Sequence, residues 1–116
     1  IVLSATFRLK KGEKSQIDAE MNDYMERRRS KQPLEFPSAG SVFKRCQGHF
    51  TGQMVEEQGM KGLSVGGAQI SDKHAGFIVN RGGATAADVM GLVEIIKSRI
   101  RKAYGLELQC ELIYVE

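Results

Sequence analysis

Ile1, Leu3, Ala5 and Phe7 occupy every second position of the chain, with Ser4, Thr6 and Arg8 on the alternate ones. A period of two predicts a half-buried strand over residues 1–9, closed by Lys10-Lys11-Gly12. The period then lengthens. Ile17, Met21, Tyr24 and Met25 recur at helical spacing, which predicts an amphipathic helix over residues 16–30. Ser15 with Asp18 three residues later has the form of a capping box, and Pro33 and Pro37 bracket the exit loop.

A loop-rich middle follows. Thr51 is placed to cap a short helix over residues 52–58, with Gly59 as its terminator. Residues 63–70 and 75–80 read as two strands joined by Ser71-Asp72-Lys73-His74. Gly66-Gly67 inside the first marks a bulge or a close backbone approach. It lacks the lysine and following helix of a phosphate loop.

The last third carries the clearest pattern. Val89, Leu92, Val93, Ile96 and Ile100 form one apolar stripe. Thr85 with Asp88 makes a capping box and Gly105 a stop, so residues 86–104 are read as a helix. Leu106, Leu108, Cys110, Leu112 and Tyr114 then alternate with Glu107, Gln109, Glu111, Ile113 and Val115, a final strand with Glu111 on its less apolar face. The order β-α-β-α-β-β-α-β predicts an α+β domain with a small mixed sheet.

Composition excludes several classes. The chain has 116 residues, 41% hydrophobic and 27% charged, which suits one globular domain. No apolar run approaches the roughly 18 residues of a membrane span. A net charge of +3 allows an acidic or phosphorylated ligand. Aromatics are 7% and not interleaved with the basic residues, which argues against nucleic acid. Cys46 and Cys110 make no disulfide framework and are expected as free thiols. Cys46, His49, His74 and Cys110 contain only one closely spaced pair, whereas zinc sites usually use two; no metal is expected.

The candidate chemistry centres on Pro37-Ser38-Ala39-Gly40-Ser41-Val42-Phe43-Lys44-Arg45. Gly40 can adopt backbone angles closed to other residues and lets a bound group approach the main chain. Ser41 then stands at the lip of an apolar run. Taken alone, it is a turn serine satisfying its own loop. Arg27-Arg28-Arg29-Ser30-Lys31 is either a cationic helix end that complements the macrodipole or a phosphate clamp. No G-x-S-x-G occurs and no histidine sits in a triad context, so a serine hydrolase is not indicated.

Several blocks together resemble one family. Residues 37–45, Gly48-His-Phe-Thr-Gly52, Gly62-Leu-Ser-Val-Gly-Gly-Ala-Gln-Ile-Ser71, Lys73-His-Ala-Gly-Phe-Ile-Val-Asn80, Ala84-Thr-Ala-Ala-Asp88 and Leu106-Glu-Leu-Gln-Cys-Glu111 follow in the order seen in the C-terminal domain of UDP-N-acetylenolpyruvoylglucosamine reductase. The uninterrupted form with Lys73-His74 resembles the more compact of its two subtypes. Cys46 and Cys110 stand where that family commonly has proline, and Ile113 where it has arginine.

The resemblance implies a cytoplasmic flavoenzyme of peptidoglycan precursor synthesis, and so a role in cell wall biogenesis, cell shape and division. It implies FAD as cofactor, NADPH as reductant and UDP-N-acetylglucosamine enolpyruvate as substrate, reduced to UDP-N-acetylmuramate. Ser41 would be the proton donor and Glu111 would stabilise the enolic intermediate. Lys31, Arg45 and His74 would contact substrate, and Gly40 with Ser41 would lie near the cofactor. Residues 1–12 would be the last strand of a preceding flavin-binding part, and residues 13–116 the substrate-binding domain. Without the N-terminal domains, this chain is expected neither to hold FAD firmly nor to turn over. Two other readings are a stand-alone basic module for nucleotide or RNA, resting on Arg27–Lys31, and a purely structural domain.

Overall fold

The computed structural model describes residues 1–46 and 48–115. They form three helices and a four-stranded sheet: α1 (Lys14–Lys31), β1 (Ser38–Ser41), α2 (Thr51–Glu57), β2 (Ser64–Val65), β3 (Ala68–Ile70), β4 (Phe77–Asn80) and α3 (Ala86–Tyr104). The fold is α+β, as the periodicity predicts. By contact, the chain divides into two units, Ile1–Ser30 and Lys31–Glu116.

In the first unit, α1 forms where helical spacing predicts it, but none of its residues is buried. The capping box at Ser15 does not form. Ser15 lies inside the helix and its hydroxyl donates to the Glu13 carboxylate at 3.4 Å, whereas a cap must stand outside helical geometry. Residues 1–9 form no strand, and all are exposed. Alternation assigns side chains to faces, but a strand also needs a ladder partner, and none pairs with them among the described residues.

The second unit is organised by its sheet, in the order β1-β4-β3-β2, with every pairing antiparallel; it is not the mixed sheet expected, because β2, β3 and β4 follow one another through connections too short for a parallel crossover. The stretch read as one strand over residues 63–70 is a hairpin. Val65 pairs with Ala68, and Gly66-Gly67 make the turn, Gly66 with φ +52°. The expected close approach at Gly67 is also present. A Cβ there would fall under 3 Å from the Gly82 carbonyl and the backbone of Ala84.

α3 packs on β2 and β3 and touches α2. It buries Leu92, Val93, Ile96 and Ile100 against Ala68, Ile70 and Ile78 of the sheet and Met54, Val55 and Met60 of the α2 region. Its capping box is formed as predicted. Thr85 N–H donates to the Asp88 carboxylate at 2.9 Å, and Asp88 N–H donates to the Thr85 hydroxyl at 3.1 Å. Gly105 closes the helix in the left-handed region at φ +67°. At α2 the expected cap is displaced. Phe50 is the cap residue, without a side-chain bond, and the Thr51 hydroxyl donates instead to the Lys44 carbonyl at 3.2 Å.

The predicted final strand reduces to one antiparallel bridge, Phe43 to Cys110. Lys44 N–H donates to the Gln109 carbonyl at 2.9 Å and Glu111 N–H to the Val42 carbonyl at 2.8 Å. Its facing is as predicted through Leu112: Leu108 is buried, Leu106, Cys110 and Leu112 are half-buried, and Glu107, Gln109 and Glu111 are exposed.

Candidate functional site

β1 and β4 do not keep step. Ser38 pairs with Val79 and Ser41 with Phe77, so three steps along β1 face two along β4. The extra residue is a β-bulge, and Gly40 within it has φ +85°, a conformation that glycine takes without the strain a Cβ brings. A bulge re-aims the side chain that follows it. That side chain is Ser41, which is exposed at the wall of a cavity of about 370 Å3.

The backbone beyond Ser41 is held from both sides. Val42 N–H donates to the Gly76 carbonyl at 3.0 Å, and the Val42 carbonyl accepts from Glu111 N–H. Cys110 Sγ donates to the same carbonyl at 3.4 Å. Val42 and Phe43 are both buried, at 2% and 4% exposure, so this short segment is anchored in the core while Ser41 faces outward. The Ser41 hydroxyl donates to the Phe43 carbonyl at 3.2 Å.

Three of the residues singled out from sequence line this cavity: Ser41, Arg45 and His74. His74 is held closely. Gly76 N–H donates to its Nδ1 at 3.0 Å, which places the proton of the neutral ring on Nε2. Its ring meets Phe77 edge-on at 4.9 Å. Buried Ser71 accepts from the N–H groups of Lys73 and His74 through its hydroxyl, fixing the turn. α2 comes so close to this turn that a Cβ on Gly52 would lie 3.2 Å from His74 Cε1 and 3.3 Å from Gly76 N.

Glu111 does not line the cavity. Its main chain is bonded to Val42, next to Ser41, and its side chain is exposed. No hydrogen bond joins the two side chains among the described residues. Lys31, exposed at the end of α1, is also outside the lining. Gly40 faces a second cavity of about 360 Å3, with Ser38 and Ala39 beside it.

Sequence reasoning missed Lys73 and Phe50, which both line the first cavity. The signals were present: Lys73 precedes His74 in the same turn, and Phe50 lies in the Gly-His-Phe-Thr-Gly block. Arg45 sits 5.8 Å from the centroid of the Phe50 ring, and Lys73 pairs loosely with Glu35 at 3.6 Å. Glu56, the acidic residue of the lining, is already paired with Lys61 at 2.5 Å. The lining thus carries two cationic side chains, Arg45 and Lys73, and one carboxylate, Glu56. Among the described residues, no cluster of three or more His, Cys, Asp or Glu is suited to hold a metal ion.

Residues 32–115 match the family model for the UDP-N-acetylenolpyruvoylglucosamine reductase C-terminal domain. The chain belongs to this family. The reductase of Fervidobacterium nodosum is 56% identical over 113 residues, 97% of this chain and 37% of the relative. That of Pediococcus pentosaceus is 51% identical over 111 residues, covering 96% of this chain and 37% of the relative. The crystal structure of UDP-N-acetylenolpyruvylglucosamine reductase from Thermus caldophilus superposes with a TM-score of 0.70 at 38% identity, over 90% of this chain and 37% of that one. The chain thus spans little more than a third of the length of these relatives. Among its described residues, no helix is long and apolar enough to cross a membrane.

Proposed function

We propose that this chain is the substrate-binding and proton-donating part of a cytoplasmic reductase that converts UDP-N-acetylglucosamine enolpyruvate to UDP-N-acetylmuramate, with NADPH as reductant and FAD as cofactor. The observation that carries this reading is Ser41, turned outward by the Gly40 bulge into a cavity it shares with Arg45 and His74. Residues 1–12 belong, on this reading, to the part that precedes the substrate domain.

The family implies FAD, and β1 can accept it on one side. A Cβ at Gly40 would meet nothing within 4 Å, and Ser38 and Ala39 are small, so a planar ring has access to the main chain. Gly40 and Ser41 are the residues of this chain that would touch it. When bound, FAD supplies the hydride equivalent that NADPH delivers.

The chain's own residues do the rest. Arg45 and Lys73 at the cavity mouth place positive charge for a diphosphate, the arginine with a fork that matches phosphate oxygens. Lys31 adds a further cation for the same group, and His74 offers Nε2–H as a donor to substrate. Ser41 gives its proton to the carbon of the enolic intermediate. A hydroxyl is a weak acid in water, but an enolate is strongly basic, and positive charge with fixed geometry makes the transfer competent. The hydroxyl rests on the Phe43 carbonyl, so donation requires it to rotate away. Glu111, carried beside Val42 by the bridge, stabilises the intermediate.

The test is single-turnover kinetics in the full-length polypeptide with Ser41→Ala. Flavin reduction by NADPH should survive, while reoxidation by the enolpyruvyl substrate should slow by about 10²–10⁴-fold, the usual worth of a positioned acid. Wild-type rates in both half-reactions would reduce Ser41 to a turn residue.

A further inference from the structure

α1 shows an apolar face that nothing within its own unit covers. Ile17, Met21, Tyr24 and Met25 lie at i, i+4, i+7 and i+8, on one side of the helix. They are 45%, 64%, 62% and 45% exposed. Upstream, Ile1, Leu3, Phe7 and Leu9 are exposed as well. Such a helix is not self-sufficient. Isolated helices of this length are marginal in water, and most helical stability in proteins comes from burying an apolar face. The ion pair of Arg27 with Asp23, at 2.8 Å, is exposed on both sides and contributes little.

Two comparisons place α1 outside the matched C-terminal domain yet inside the likeness to a longer relative. The C-terminal-domain model begins at residue 32 and leaves α1 out. The likeness to the Fervidobacterium nodosum reductase nevertheless runs over 97% of the chain. α1 therefore has a counterpart in the relative that lies before the C-terminal domain, and 37% of the relative's length is matched in all.

We infer that the face formed by Ile17, Met21, Tyr24 and Met25 docks on the part of the polypeptide that precedes the C-terminal domain in the relatives. α1 is then a strap held by that preceding part. This rests on the reading of the chain as one portion of a longer reductase. The partner surface it fits is an apolar groove about two helical turns long. Tyr24, an aromatic with a polar tip, suits the edge of such a groove.

Hydrogen exchange decides the matter. Amide exchange over residues 14–30 is compared in the 116-residue chain and in the full-length polypeptide, its preceding part supplied by the Fervidobacterium nodosum reductase. Peptides from residues 62–104 serve as the internal control for the folded sheet unit. In the 116-residue chain, residues 14–30 should exchange within about tenfold of an unstructured peptide; in the full-length polypeptide they should slow by ~100-fold or more. In the full-length polypeptide, Tyr24→Lys should restore fast exchange over residues 14–30 and leave residues 62–104 protected. Equally fast exchange in the full-length polypeptide overturns the inference. Protection already present in the 116-residue chain overturns it too: if it grows with concentration the occupant is a second copy, and if not, the chain covers its own helix. Fast exchange in a full-length polypeptide that still reduces substrate rejects the docking and leaves the reductase reading standing. Slow exchange without reductase activity does the reverse.

Discussion

At the scale of single residues, neighbours that look alike in sequence do different work. Gly66 supplies a positive φ for the hairpin turn, whereas Gly67 supplies space. The obstacle to a side chain at Gly67 is backbone, the Gly82 carbonyl and Ala84, and backbone in a packed loop cannot yield as a side-chain tip can. Gly67→Ala should therefore cost about 1–3 kcal/mol, read as a lowered urea midpoint, with the loop after Asn80 displaced. A second case is Tyr104, whose hydroxyl donates to the Glu57 carboxylate at 2.7 Å. That bond holds Glu57 below the usual carboxylate range, helped by Gln53, and raises the Tyr104 phenol. In Tyr104→Phe the Glu57 carboxyl should titrate at higher pH, observable by NMR of its side chain. An unchanged titration would mean that the contact is not formed in solution.

At the scale of elements, the start of α3 ties three pieces together. Asp88 accepts from Thr85 N–H, and its carboxyl is held below the ordinary range chiefly by that bond, with smaller contributions from the Thr85 hydroxyl and the Gly67 N–H. The same carboxylate lies against the β2–β3 turn, where a Cβ on Gly66 would fall 2.5 Å from it. Thr85→Ala should lower stability by about 0.5–2 kcal/mol in chemical denaturation. The pH dependence has a definite sign. Because the folded carboxyl titrates below the unfolded one, its stabilisation is complete above the ordinary aspartate pKa and is lost as pH falls through the folded value. Asp88→Asn should therefore flatten part of the acid limb of a stability–pH curve. Glu57 and Glu107, also lowered, keep the rest.

At the scale of the whole molecule, the second unit has its own core and the first has none. Fourteen buried apolar residues form one cluster, all between Val42 and Leu108, while α1 and the residues before it bury nothing. On the proposed reading this chain supplies only one side of the cofactor site, too little surface to hold a large dinucleotide. The purified 116-residue chain should show no flavin absorbance band after desalting from excess FAD. A band near one FAD per chain would overturn that expectation.

Some of this was legible in the sequence alone. α3 was, to the residue, because its stripe, capping box and glycine stop are local signals that agree, and local signals survive without knowledge of the rest of the chain. The positive φ of Gly40, the Gly67 close approach and the facing of residues 106–112 were legible for the same reason, although Ser38–Ser41 is a bulged strand and not the tight turn expected there. What sequence could not show depends on partners distant along the chain. Residues 1–9 alternate as a strand does, but a strand exists only where another completes its hydrogen bonds. The stretch 63–70 has strand composition throughout, and only the pairing of Val65 with Ala68 makes it a hairpin. The cavity is the clearest instance. Ser41, Arg45, Phe50, Lys73 and His74 become one wall because a bulge, a two-glycine contact and an antiparallel sheet bring separate loops together. Local pattern specified which residues could form each element, and packing between distant segments decided which of them meet.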